Sequence, residues 1–155
     1  MPIHGDGGHA SVVRGLNFSP YVATPPYNLP DDVWIVAVGD NGKRQAEARR
    51  YKHFGIGRHP SAIIHPTAII GPGTVILEGA ILQANVIVGA HCIINCGAVL
   101  THDCTIEDFA HIAPGVHLCG GVHVGEGALV GVGCCAVPGA RVAPWRTIPA
   151  GSVIT

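Results

Sequence analysis

The chain has 155 residues, of which 48% are hydrophobic and only 12% charged, with a formal net charge of −1. That length is short for two full-sized domains but long enough to bury a core. Near-zero charge without a basic run offers nucleic acid or an anionic membrane no electrostatic footing, and apolar stretches broken every few residues exclude a transmembrane helix.

In chain order, Met1-Pro2-Ile3-His4-Gly5 has neither the charged nor the apolar region of a secretory signal. Gly5-Asp6-Gly7-Gly8-His9-Ala10 fits G-x-G-x-x-A, which between a strand and a helix places a phosphate on the helix N-terminus. Only a few residues precede it to make the strand, and no acidic residue stands where a ribose ligand is expected. The Pro-, Tyr- and Asn-rich stretch 17–30 reads as loop. The apolar run 33–38, closed by Gly39-Asp40-Asn41, predicts a buried parallel strand, and 42–53 predicts a helix with a polar face. Residues 1–60 therefore read as a small, truncated α/β module of Rossmann-like kind, joined at His59-Pro60-Ser61 to a different domain over 61–155.

That second domain is a repeat. Stepping by six from Ile64 through Ile154 meets Ile, Leu or Val at every position except Ala136. Two residues before each lies a small or β-branched series, from Ala62 through Cys92, Cys104 and Cys134 to Ser152, broken only by Arg146. Three residues after each, Gly is the commonest choice, as at Gly73, Gly97, Gly121 and Gly139. Residues two apart on a strand share a face, so both apolar series point inward, and Gly supplies positive φ at the corner that follows. A strand-plus-corner unit repeating without helices predicts a mainly β fold, a parallel β-helix of the hexapeptide class with about five coils spaced about 4.8 Å apart.

One position before each aliphatic lie Ile63, Ile69, Val75, Ile81, Ile87, Ile93 and Val99. These point outward, and on a lone prism they expose a large hydrophobic surface. Cover by identical neighbours and by the N-terminal segment is expected, and a cyclic trimer suits a three-sided prism.

The chain carries 10 His. His111, His117 and His123 take the outward position on three successive faces, so one prism cannot bring them together. A metal site is the rival reading of this cluster, with imidazoles converging from neighbouring subunits. His102 sits at a corner before Asp103, and Gly120 stands at the same corner one coil on. That pairing suits a base beside an oxyanion donor. Cys92, Cys104 and Cys134 belong to the inward series as compact hydrophobes; six Cys without CxxC spacing and without an export signal read as reduced thiols in a cytosol.

These motifs together resemble the hexapeptide-repeat, left-handed β-helix acyltransferases of bacterial sugars. The resemblance is to the branch with sialic acid O-acetyltransferases and nucleotide-linked amino-sugar N-acetyltransferases. It rests on Gly5-Asp6-Gly7-Gly8-His9, Val38-Gly39-Asp40-Asn41, His59-Pro60-Ser61-Ala62, His102-Asp103-Cys104 and His111. It implies acetyl-CoA as donor, a nucleotide sugar as acceptor, and a homotrimer with sites between subunits. His102 would be the general base and Asp103 its orienting carboxylate. His111 would line the site, and the Gly120 N–H would face the thioester oxygen. Gly5, Gly7, Gly8, His9, Asp40 and Asn41 would hold the nucleotide sugar, and Arg141, Trp145 and Arg146 the far end of CoA; no metal is required. The stretch between Ala10 and Asp31 is shorter than in that family. N-acetylation of a nucleotide-linked amino sugar is the expected activity. The alternatives are O-acetylation of a sugar, a β-helix metalloenzyme of the carbonic anhydrase type, and a non-catalytic scaffold.

Overall fold

A computed structural model describes residues 3–4, 17–19 and 33–155. The first layer is a three-stranded sheet in which β1 (Ile3–His4) and β4 (His53–Phe54) both pair in parallel with β3 (Val33–Val36). Helix α1 (Asn41–Ala48) crosses between β3 and β4, capped by the Asp40 carboxylate on the Lys43 N–H at 2.8 Å. The helix is shorter than the polar run 42–53 implies. Turn hydrogen bonds from Arg50 to Glu47 and from Tyr51 to Ala48 end it. Tyr51 then packs at a tilt against Trp34, ring centroids 4.4 Å apart, and its hydroxyl meets His4 Nδ1 at 2.8 Å, so the chain leaves the helix to form β4. The G-x-G-x-x-A motif at 5–10 lies outside the described residues.

From β5 (Ile56–Arg58) onward every strand pairs in parallel with residues eighteen along, as Gly57 with Val75 and Val88 with Ile106. The result is a parallel β-solenoid with three faces. The first face stacks Ile63–Ile64, Ile81–Leu82, Val99–Leu100, His117–Leu118, Cys135–Ala136 and Val153–Ile154. The second stacks Ile69–Ile70, Ile87–Val88, Thr105–Ile106, His123–Val124 and Arg141–Val142. The third stacks β5, Val75–Ile76, Ile93–Ile94, His111–Ile112, Leu129–Val130 and Thr147–Ile148, with β2 (Asn17–Ser19) antiparallel at its edge.

Both inward series fill one continuous core from Ala62 to Ile154. The thiols of Cys92, Cys104 and Cys134 are buried in it and donate to the carbonyls of Glu107, Cys119 and Pro149. The outward apolar residues divide by face. On the third face Val75 and Ile93 are buried with Leu77 against Ile35 and Ala37 of the N-terminal layer. Ile63 and Val153 on the first face and Ile69 on the second remain more than 60% exposed, at 62%, 65% and 63%.

Candidate active site

Each corner of the solenoid requires a residue at positive φ, and most rungs use Gly. The first corner, between the first and second faces, uses Asn85 at +60° and Asp103 at +62° instead. Asn and Asp are the side chains that enter this region at least cost. Eighteen residues apart, they stack on adjacent rungs, and the Asn85 amide donates to Asp103 Oδ1 at 3.1 Å. His102 precedes Asp103 and donates from Nδ1 to Asp103 Oδ2 at 2.7 Å. A carboxylate only accepts, so this contact places the ring proton on Nδ1 and leaves the Nε2 lone pair of the neutral imidazole available. The imidazole and the Asn85 amide hold the exposed Asp103 carboxyl below the usual carboxylate range.

Gly120 stands one rung beyond His102, and its φ lies outside the left-handed region. Glycine is required there by the imidazole. A Cβ on residue 120 would lie 2.5 Å from His102 Cε1 and 2.7 Å from Nε2. The ring therefore rests flat against the backbone of that rung. Among the described residues the Gly120 N–H has no hydrogen-bond acceptor, whereas the next N–H, of Gly121, is taken by the His102 carbonyl at 3.0 Å. A proton acceptor and an open backbone donor thus sit side by side on an exposed edge.

His111 does not join them within one chain. It lies on the third face, across the solenoid from the first corner, where the Asn95 amide donates to its Nε2 at 3.1 Å. Asn95 Oδ1 accepts the Cys96 N–H at 2.9 Å, which fixes the amide's orientation. His117 and His123 occupy the first and second faces. Among the described residues no group of three or more His, Cys, Asp or Glu is arranged to hold a metal ion, and no helix is long and apolar enough to cross a membrane.

No protein-family model and no curated protein matches the sequence. Solved structures do. The acetyltransferase domain of PglB from Neisseria gonorrhoeae is 30% identical, with a TM-score of 0.86, covering 99% of this chain and 89% of that one; it has also been solved with acetyl coenzyme A. PerB from Caulobacter crescentus, in complex with CoA and GDP-perosamine, is 32% identical with a TM-score of 0.85, over 99% of this chain and 87% of that one. This chain belongs to the hexapeptide-repeat sugar N-acetyltransferases. WeeI from Acinetobacter baumannii, 20% identical with a TM-score of 0.70 over 97% of this chain and 93% of its own, shares the fold.

In this acetyltransferase Trp145 and Asn41, of the remaining expected site residues, lie at the second corner, between the second and third faces. Trp145 takes φ +57° there and lays its ring over Gly127, half exposed. Arg146 follows it, and Arg141 lies on the second face beside His123; both are exposed. The Asn41 amide spans the carbonyls of Gly127 and Ala128 at 3.0 and 3.2 Å, while its Oδ1 accepts from Arg44 at 2.7 Å. Asp40 caps α1. Gly5, Gly7, Gly8 and His9 lie outside the described residues.

Arg44 escaped sequence reasoning because a helix rich in polar residues gives no sign of which side chain turns inward. It is 1% exposed. Its guanidinium donates to the carbonyls of His91, Phe109, Val38 and Gly39 besides Asn41. Burial pushes it down to about 10, so it stays charged at neutral pH and pins α1 to the second corner. Asn85 and Asn95 were missed for a different reason: each is polar in a pattern read for its apolar positions. The Glu107–His123 contact at 2.9 Å joins adjacent rungs of the second face, and Glu107 also accepts the Glu126 N–H at 2.8 Å.

Proposed function

We propose that this acetyltransferase N-acetylates a nucleotide-linked amino sugar, with acetyl-CoA as donor and His102 as general base. The supporting observation is the His102–Asp103 pair seated on Gly120 at an exposed corner. The acceptor amine attacks the thioester carbonyl and passes a proton to His102 Nε2. The resulting oxyanion is met by the Gly120 N–H. As it collapses the C–S bond breaks, and the departing CoA sulfur takes the proton from the imidazolium. Asp103 keeps the ring in the tautomer this requires. No covalent enzyme intermediate is needed. PerB, solved with CoA and GDP-perosamine, supports the donor and the acceptor class.

The solenoid reads as left-handed and the assembly as a homotrimer. Exposed Ile63, Ile69, Ile87 and Val153 flank the first corner on both sides, so neighbours covering these residues would enclose His102. His111 then enters the site from an adjacent subunit. Asp40 and Asn41, with Gly5, Gly7, Gly8 and His9, shape the nucleotide end. Arg141, Trp145 and Arg146 would take the phosphates and adenine of CoA. The 1–60 layer acts as a small Rossmann-like module for the nucleotide.

The test is thiol release from acetyl-CoA with a panel of GDP- and UDP-linked amino sugars and their hydroxyl analogues. Transfer to an amine is expected, and His102→Ala should lower kcat by about 10²–10⁴-fold, as for loss of a general base. Transfer to hydroxyl acceptors alone would move the assignment to O-acetylation. Undiminished turnover by the His102 variant would remove it as the base.

A further inference from the structure

We infer that Asn85 is a positioning residue for this reaction, holding the carboxylate that fixes His102; the inference rests on the reading of His102 as base. Asn85 occupies a corner position where φ is +60°, and the third corner's equivalent positions are Gly79, Gly97, Gly115, Gly133 and Gly151. A Cβ there costs stability, so a side chain kept at such a place points to a use for it.

That use is visible in the contacts. Asp103 has two carboxylate oxygens, and each is taken by a different donor: Oδ2 by His102 at 2.7 Å and Oδ1 by the Asn85 amide at 3.1 Å. With both oxygens engaged the carboxylate cannot turn about its own axis without losing a hydrogen bond. Asn85 is itself anchored from below, where its backbone N–H donates to Thr67 Oγ1 at 2.9 Å. Thr67 Oγ1 in turn meets His65 Nδ1 at 2.9 Å. The Asp103 backbone is tied to the same rung as Asn85 through the Ala84 carbonyl at 3.0 Å. A polar column therefore climbs the first corner from His65 through Thr67, Asn85 and Asp103 to His102.

All of these groups but Ala84 are exposed, so no single contact adds much to stability. Orientation is what the column supplies. An exposed His–Asp pair on its own samples many rotamers, and reaction requires the acceptor nitrogen within a near-attack geometry of the base. Asn85 touches neither reactant in this scheme and acts through Asp103.

Two variants test it in the full chain. Asn85→Gly keeps the left-handed backbone at lower strain and deletes the amide. Asn85→Asp keeps the shape but puts a second carboxylate against Asp103. The expected result for Asn85→Gly is a kcat about tenfold lower with KM for acetyl-CoA and acceptor within about twofold. Its melting temperature should equal or exceed the parent's. Asn85→Asp should lose at least as much kcat. Independently of any acceptor, ¹⁵N NMR of the histidine rings should show His102 in the Nδ1–H tautomer in the parent chain and as a mixture in Asn85→Gly. Parental kcat and an unmixed tautomer in Asn85→Gly, while His102→Ala is inactive, overturns the role of Asn85 alone. If His102→Ala is fully active yet Asn85→Gly still mixes the tautomers, the orienting role stands and the base assignment falls.

Discussion

The three corners of the solenoid solve one backbone problem in three ways. At the third corner the positive-φ positions are all Gly, and a Cβ on Gly79, Gly97, Gly115, Gly133 or Gly151 would meet nothing within 4 Å. At the second corner the column reads Gly73, His91, Phe109, Gly127 and Trp145. There His91 stacks on Phe109 at 4.9 Å, meets Phe54 edge-on at 4.4 Å and is buried beneath α1 and Arg44. At the first corner the exceptions to Gly are Asn85 and Asp103, and they stay in solvent. Identical backbone strain is thus offset by aromatic packing at one edge and set against a polar array at another. The two corners differ in what they hold: the second is packed against the N-terminal layer, and the first carries an exposed His102–Asp103 pair.

The sharpest way to break that division is Gly120→Ala. Because the atoms it meets are the end of a movable ring, the fold should survive while the imidazole is pushed aside. Turnover should fall by at least about 10²-fold with little change in melting temperature, measured side by side. Next, Arg44→Met leaves carbonyls at the second corner unpaired and should cost about 3 kcal/mol in urea unfolding. An Arg44 variant as stable as the parent would mean that the other contacts of α1, the Asn41 hydrogen bonds among them, suffice to hold it.

A pair of glycine substitutions sharpens the contrast further. Gly73→Ala combines φ +75° with a Cβ that would collide with the His91 ring, and should cost about 2–4 kcal/mol. Gly97→Ala has φ +64° and open space, so about 1 kcal/mol is expected. Equal losses would show that packing at the second corner is looser than its geometry implies.

A further effect concerns acid. Burial, and then the Arg44 charge, push the His91 imidazole down to about 4, against the opposing pull of Asp108. Its Nδ1 has no hydrogen-bond partner among the described residues. The folded chain therefore keeps His91 neutral while the unfolded chain protonates it at about 6.5. Between those values the unfolded state binds more protons, so stability is complete above about pH 6.5 and declines as pH falls toward 4. In thermal melts across that range, His91→Phe should show a shallower decline than the parent. Parallel curves would refute the neutral burial of this ring.

Much of the solenoid was legible because its signal is periodic: a register of six repeated from Ile64 to Ile154 leaves each inward position no other face to occupy. The pairing of His102 with Gly120 followed from the same arithmetic. The N-terminal layer was harder. Its elements are short, and the buried cation that helps join it to the solenoid finds partners 47 and 65 residues away. Asn85 was also available in principle. Once the Gly series is laid out, its non-glycine members beyond Thr67, namely Asn85, His91, Asp103, Phe109 and Trp145, stand out as places where strain is tolerated for a reason. Reading the interruptions of a repeat, and not only its consensus, would have found both corners.

The eighteen-residue lap between paired strands has a consequence for how such a chain can change length. Losing or gaining one complete lap leaves every later side chain aimed as before, whereas any partial lap rotates the remainder onto a foreign side. Whole laps can be spliced in above Gly120 or below Thr67 without disturbing the polar column of the first corner. One spliced between His102 and Gly120 would keep the fold and its composition, yet lift the imidazole off its seat.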